Sequence, residues 1–415
     1  DAARTLFPHH GGDRFPERLL VAAARGPGGD EAGEEGVPRS DPRHRLEVRR
    51  LDAVAMDRLV LTEQRVAAEL GRDQDVPRTA VGDAVHVLPV VNAIKRADPQ
   101  SHITWVLQPG PGSLVEGHPA VDEIVRFDRS RGWRAFADVR NAFRGQRFDV
   151  VLALQDYLKA GILTAIAPAP VKLGYDRKRA RDLNWLFTNR RIPAHEPQHI
   201  QDEYLEFVSA LGIAPAPIEW DLGPWDHERA WQREFVSQFD RPIVSLVIGT
   251  SRPQKDWIAE RWGELSDALS GRYGLAPVLV GGRSPREEAT ERVLLERTRH
   301  TPTSALNSGL RRLVSILDAS ALVISLDTGP LHMAVALRRP VISLLGFSNP
   351  LRTGPYRAYQ DLVVNAYGNE WEGARLATDR RTDRMATIRV ADVLEKVAIW
   401  KERYASGRTE SGPKS

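Results

Sequence analysis

Cysteine is absent from all 415 residues. Its absence excludes disulfide scaffolds, thiolate zinc sites and cysteine nucleophiles. Long apolar runs are missing too. None reaches the roughly 18 apolar residues of a membrane span, and the longest candidate, Ala160–Val171, is broken by prolines. The N-terminus has no basic region followed by an apolar core, so no signal peptide is expected. Net charge is close to zero at +3, which leaves no global field to attract nucleic acid. Together these absences make the cytoplasm the expected location.

What remains is an ordinary globular balance, 42% hydrophobic and 27% charged, in a chain long enough for at least two cores. Residues 1–78 differ from the rest. They are rich in Gly, Pro and charge, and are expected to form an atypical extension, disordered or partly helical. Within it, Arg49–Arg72 has spaced apolar residues that read as one amphipathic helix. From residue 79 onward, short apolar runs alternate with helical patterns, the signature of parallel βαβ units. Residues 79–213 form one such series. A linker spans 214–240, opening with the Pro- and Gly-rich stretch Ala214–Trp225. A second α/β series spans 241–398 with a final helix, and 399–415 is a tail. The fold class is therefore α/β, with two Rossmann-like domains. Their strand ends would face a central cleft, where open α/β sheets bind ligands.

Three strand-end loops of the second series carry polar chemistry. "SLDTGPLHMAVALRRPVISLLG" (325–346) ends a strand at Asp327, turns through Thr328 and Gly329, and starts a helix with His332 in its first turn. Exposed N–H groups and the helix dipole there favour a phosphate, although Asp or Thr at a helix start is also an ordinary cap. "VIGTSRPQKDW" (247–257) brings Thr250, Ser251 and Lys255, two hydroxyls and an ammonium suited to a phosphate. "LVGGRSPREEA" (279–289) places Glu287 and Glu288 where a carboxylate can hold ribose hydroxyls, or where the dipole alone would favour acid. In the first series, Gly82-Asp83 stands just before a helix, and Asp83 is the one well-placed candidate base. Val171–Pro193 clusters Lys172, Arg177, Lys178, Arg179, Arg181, Arg190 and Arg191 against only Asp176 and Asp182. Such a cluster attracts an anion. No nucleic-acid-binding motif accompanies it, so nucleic acid is not expected as partner.

Taken together, "GDAVHVLPVVNAIKR", "GHPAVDEIVRFD", "GYDRKRARDLNWLFTNRRIP", "GTSRPQKDW" and "DTGPLHMAVALRRPVISLLGFSNPLRTGPY", in that order, resemble glycosyltransferase family 9, the ADP-heptose:lipopolysaccharide heptosyltransferases. The resemblance runs from about residue 79 to about residue 398. It implies a GT-B fold and an inverting transfer of heptose from ADP-heptose to the lipopolysaccharide inner core. Asp83 matches the family's general base. Thr328, Gly329 and His332 match residues around the donor phosphates, Thr250, Ser251 and Lys255 match the other phosphate loop, and Asp327 belongs to the same donor site. Glu287 resembles the ribose-binding Glu, with Glu288 the alternative. Arg177, Lys178, Arg179 and Arg181 are the implied grip on an acidic acceptor. No metal and no cofactor are implied. The implied acceptor is membrane-embedded, so the enzyme would work peripherally at the cytoplasmic face of the inner membrane.

One departure stands out. Family members open with an apolar strand leading directly into the Gly-Asp loop, whereas "ELGRDQDVPRTAVGD" precedes Asp83 here. These polar residues do not read as a central buried strand. The first strand is therefore expected to be lost or replaced, as a shifted frame or misassigned start would explain. Asp83 would then be poorly anchored and activity low. Two alternatives follow: a catalytically impaired nucleotide-sugar-binding protein, and a same-fold transferase using another nucleotide sugar.

Overall fold

The computed structural model describes residues 57–62 and 79–405. The expectations for residues 1–56, 63–78 and the end of the tail lie outside the described residues.

The first sheet contains β1 (Arg58–Thr62), β2 (His102–Leu107), β3 (Glu123–Arg126), β4 (Val150–Ala153), β5 (Val171–Gly174) and β6 (Arg190–Arg191). Its order is β3-β2-β1-β4-β5-β6, and every pair is parallel. This overturns the expectation of a missing first strand. β1 is central, with Leu59 beside Ile103 on one edge and Val150 on the other. Leu59, Val60, Leu61 and Thr62 are fully buried. The reading of Arg49–Arg72 as one helix fails for the same reason. A central parallel strand is covered on both faces, so it shows a continuous apolar run with no alternation. The five residues "RLVLT" are too few to set a period of their own, and the flanking apolar residues supplied a helical one.

Helices α1 (Thr79–Ala97), α2 (Pro109–Val115), α3 (Trp133–Ala142), α4 (Leu158–Ile166) and α5 (Ile200–Ala210) complete the first domain. α1 packs nearly all its apolar positions, from Ala84 to Ile94, into the core. Asp83 sits inside α1, not ahead of it.

Residues 211–225 carry no helix or strand, and α6 (Asp226–Val236) follows. The stretch 214–240 expected as linker thus contains an 11-residue helix. α6 is tied to the second domain: Gln232 Nε2 donates to the Ser315 carbonyl at 2.8 Å, and Arg229 pairs with Asp318 at 2.6 Å.

The second sheet contains β7 (Ile243–Val247), β8 (Ala276–Val280), β9 (Thr303–Ser304), β10 (Leu322–Leu326), β11 (Val341–Leu345) and β12 (Val363–Asn365), in the order β12-β11-β10-β7-β8-β9 and again parallel. Helices α7 (Ala259–Tyr273), α8 (Pro285–Arg297), α9 (Leu310–Ala319), α10 (Gly329–Ala336), α11 (Pro350–Thr353) and α12 (Val390–Arg403) surround it. One apolar cluster runs without interruption from α1 and the first sheet to α9, α10 and the second. The two domains therefore meet through buried side chains as well as across a cleft.

Candidate active site

β10, β7 and β8 are neighbours in the second sheet, so the loops at their carboxyl ends stand side by side. After β7, Thr250 is buried and its hydroxyl lies 2.6 Å from an Asp256 carboxylate oxygen and 2.7 Å from the Arg252 carbonyl. Arg286 at the start of α8 donates to Asp256 at 2.5 Å and to the Thr250 carbonyl at 3.1 Å. Burial pushes the Asp256 carboxyl above its ordinary pKa, against the opposing pull of Thr250 and Arg286. Thr250, expected at the phosphates, is thus spent on shaping its own loop. Ser251 and Lys255 face the cleft. Lys255 Nζ donates to the Asp327 carboxylate at 2.7 Å and to its carbonyl at 3.3 Å. Both side chains are largely buried, so the pair locks the β7 loop to the β10 loop. Removing one partner strands a buried charge, which costs about 3–5 kcal/mol.

After β8, Glu287 closes a capping box on α8. Its carboxylate accepts from the Gly282 N–H at 2.9 Å, the Ser284 N–H at 2.8 Å and the Ser284 hydroxyl at 2.9 Å. Gly249 and Gly281 make room for it: a Cβ on Gly249 would fall 2.2 Å from Glu287 Cγ, and one on Gly281 2.8 Å from Oε1. Glu287 is 2% exposed and lines the cleft. Glu288 points outward and pairs with Arg283, each about half exposed. The choice between the two carboxylates therefore falls on Glu287 as the one facing the cleft.

At the third loop, Thr328 precedes α10, whose first residues Gly329 and Pro330 begin the helix. Here the domains make a close approach. A Cβ on Gly82 would stand 3.1 Å from His332 Cδ2, and one on Gly329 would stand 3.1 Å from Val81 Cγ1 and 3.3 Å from the Gly82 nitrogen. A side chain at either position would force its neighbour back by a few tenths of an ångström, so glycine suits this close approach of α1 and α10. His332 is buried, and burial, assisted by His199 and Lys255, pushes its imidazole down to about 3, so it is neutral. Its ring lies 4.2 Å from that of His86.

Two adjoining spaces result. A pocket of about 120 Å³ is lined by Asp83, Ser251, Lys255, Asp327, Thr328 and His332. A cavity of about 950 Å³ shares Thr328 and Gly329 with it and extends past Glu287 to a wall of the first domain. That wall contains Phe127, Arg129, Trp133, Phe136 and Lys159. None of these five residues stands out as a site residue in the sequence. A signal was present in the aromatic and basic residues following "GHPAVDEIVRFD", but nothing local says that they face the second domain.

The basic segment divides. Arg179 does not reach out to a ligand, contrary to expectation. Its guanidinium is held by Asp176 at 2.5 Å, by both Glu206 oxygens at 2.7–2.8 Å and by the Pro193 carbonyl at 2.8 Å. Burial opposes its charge, but these bonds more than offset that and hold its pKa above the ordinary value. Arg177 lies over the Trp185 ring at 4.7 Å. Lys178 pairs loosely with Glu196 and Arg181 with Asp156, and both cations are mostly exposed.

Among solved structures, the glycosyl transferase family 9 protein of Veillonella parvula aligns with TM-score 0.68 at 22% identity, covering 83% of this chain and 97% of that one. The E. coli heptosyltransferase WaaC solved with ADP aligns with TM-score 0.61 at 24% identity, covering 84% and 99%. Two parallel sheets flanking a polar cleft, with these neighbours, define the GT-B fold. The family model for glycosyltransferase family 9 (heptosyltransferase) matches residues 136–380, and the chain belongs to that family. Among curated relatives, the lipopolysaccharide core heptosyltransferase OpsX of Haemophilus influenzae is 29% identical over 70% of this chain and 82% of its own length. Lipopolysaccharide heptosyltransferase 1 of Salmonella typhimurium is 29% identical over 68% and 90%.

Proposed function

We propose that this enzyme transfers heptose from ADP-heptose to the lipopolysaccharide inner core with inversion, and that Asp83 is its general base. The observation that carries the reading is that Asp83, from the first domain, shares one small pocket with Lys255, Thr328 and His332 from the second. The diphosphate is expected at the N-terminus of α10, where N–H groups and the dipole meet negative charge, with Ser251 and Lys255 beside it. Glu287 takes the ribose hydroxyls. The acceptor hydroxyl approaches from the side of the first domain, and its proton passes to the Asp83 carboxylate as the oxygen attacks the anomeric carbon. The bond from that carbon to the diphosphate breaks, and ADP leaves against preorganised donors. Arg129, Lys159 and Trp133 join Arg177, Lys178 and Arg181 as groups that would meet an acidic, phosphorylated acceptor.

The impaired-binder alternative rested on a missing first strand, and a central β1 removes its motive. Among the described residues no helix is long and apolar enough to cross a membrane. The proposed acceptor is membrane-embedded, so the enzyme would work at the cytoplasmic face of the inner membrane by peripheral contact. The test is the full chain incubated with ADP-heptose and a heptose-free core acceptor. Release of one ADP per heptose gained is expected. Turnover of a different nucleotide sugar with none from ADP-heptose would overturn the donor assignment.

A further inference from the structure

The turn between β5 and β6 exposes two large apolar side chains, Leu183 and Leu186, that line neither of the two spaces described above. Leu183 and Leu186 are 57% and 58% exposed, and it is their closeness on one turn, rather than exposure alone, that marks a candidate contact patch. They sit at either end of one hydrogen-bonded turn, the Leu186 N–H donating to the Leu183 carbonyl. Leu183 is held at φ 60°, a left-handed conformation unfavourable for a branched residue. The turn is nevertheless firmly built. Asn184 Nδ2 donates to the Tyr157 carbonyl at 2.7 Å, and Phe187 packs so closely on Gly161 of α4 that a Cβ there would fall 2.3 Å from its ring. Leu158, which opens α4, is 43% exposed. The same β5–β6 segment carries Arg177 over the Trp185 ring, Lys178 beside Glu196 and Arg181 beside Asp156, the last two mostly exposed, while Asp176 is consumed by Arg179.

We infer that this turn is a docking surface for an anionic phospholipid bilayer, with Leu183 and Leu186 inserted among the headgroups and the basic residues on lipid phosphates. Apolar tips with a basic collar fit a charged bilayer, where burial and electrostatic attraction add. A basic loop that binds a charged polymer has no use for exposed leucines. The inference deepens the transferase reading and rests on it for purpose. Tyr157, beside the turn, lines the pocket of Asp83, and Lys159 lines the large cavity. Docking here would bring the cleft mouth to the membrane plane, where a lipid-anchored acceptor presents its sugar.

The test is co-sedimentation of the full chain with vesicles of phosphatidylcholine alone or mixed with phosphatidylglycerol, both free of acceptor. Binding is expected only with phosphatidylglycerol and should weaken with salt. The double variant Leu183→Asn, Leu186→Ser should lose roughly tenfold or more of vesicle partition. Asn also tolerates the left-handed conformation, so folding is preserved. The same variant should turn over a water-soluble, delipidated acceptor at the native rate. Native-like vesicle binding by the variant would overturn the inference, as would equal binding to neutral vesicles. Heparin binding that persists in the variant while vesicles are ignored would assign the surface to an anionic polymer instead. If native protein binds vesicles but transfers no heptose to the soluble acceptor, the transferase reading fails and the docking surface stands.

Discussion

His332 and His199 show how far single residues at this cleft depend on being neutral. His199 accepts from the Gln201 N–H through Nδ1 at 3.0 Å, so its Nε2–H donates to the Gly354 carbonyl at 3.1 Å across the domain boundary. Burial pushes its imidazole down to about 4, against that hydrogen bond and Asp202. A lowered folded-state value means the unfolded chain binds the proton more tightly. Stability is then full above the ordinary histidine value of about 6.5 and falls as pH drops toward 4, by up to about 1.4 kcal/mol per pH unit per histidine. Thermal melts between pH 4.5 and 8 should show this slope for the native chain. His199→Gln, whose amide can still donate to Gly354, should have a shallower one. An unchanged slope would assign the titration elsewhere. The second-domain polar residues that line the cleft were mostly legible as strand-end loops of hydroxyls, a lysine and carboxylates. The commitments of Thr250 to Asp256, Lys255 to Asp327 and Arg179 to Glu206 were not. They join residues separated by 6, 72 and 27 positions, and no local pattern reports which carboxylate a cation will meet.

At the scale of elements, β1 decides whether the first domain is whole. Its residues pair on both sides and bury Leu59, Val60 and Leu61 completely. Leu61→Ala should therefore cost about 2–5 kcal/mol in urea unfolding, the usual range for a closely packed core leucine. A loss below about 1 kcal/mol would mean that the strand is dispensable. The later strands were readable because turn residues bracket each apolar run and helices of clear period separate them. β1 was hidden because the chain next to it does not follow the family's direct passage into Gly82-Asp83. The helix containing Asp83 is fixed independently. Gln201 on α5 donates to the His86 carbonyl at 2.7 Å and accepts from His86 Nδ1 at 3.1 Å, one turn beyond Asp83.

The described residues form two sheets on either side of the cleft, joined by side chains that cross between the domains. On one side, Arg352 pairs with Glu203 at 2.7 Å and the Tyr356 hydroxyl donates to Asp202 at 2.6 Å. On the other, Arg311 donates to the Leu114 and Leu222 carbonyls and pairs with Glu228 at 2.7 Å, joining first domain, connector and second domain in one guanidinium. The GT-B organisation was legible from the alternation of elements. The bridging residues were not, since each looks like an ordinary surface charge until both domains are placed. This frame sets Asp83 against the loops that follow β7 and β10, and for the proposed mechanism it makes Asp83→Asn the most direct test. This variant should bind ADP with near-native affinity, because the loops proposed to hold the nucleotide are untouched. Heptose transfer should fall by about 10²–10⁴, the usual contribution of a general base. Transfer at the native rate by Asp83→Asn, with ADP binding intact, would contradict it.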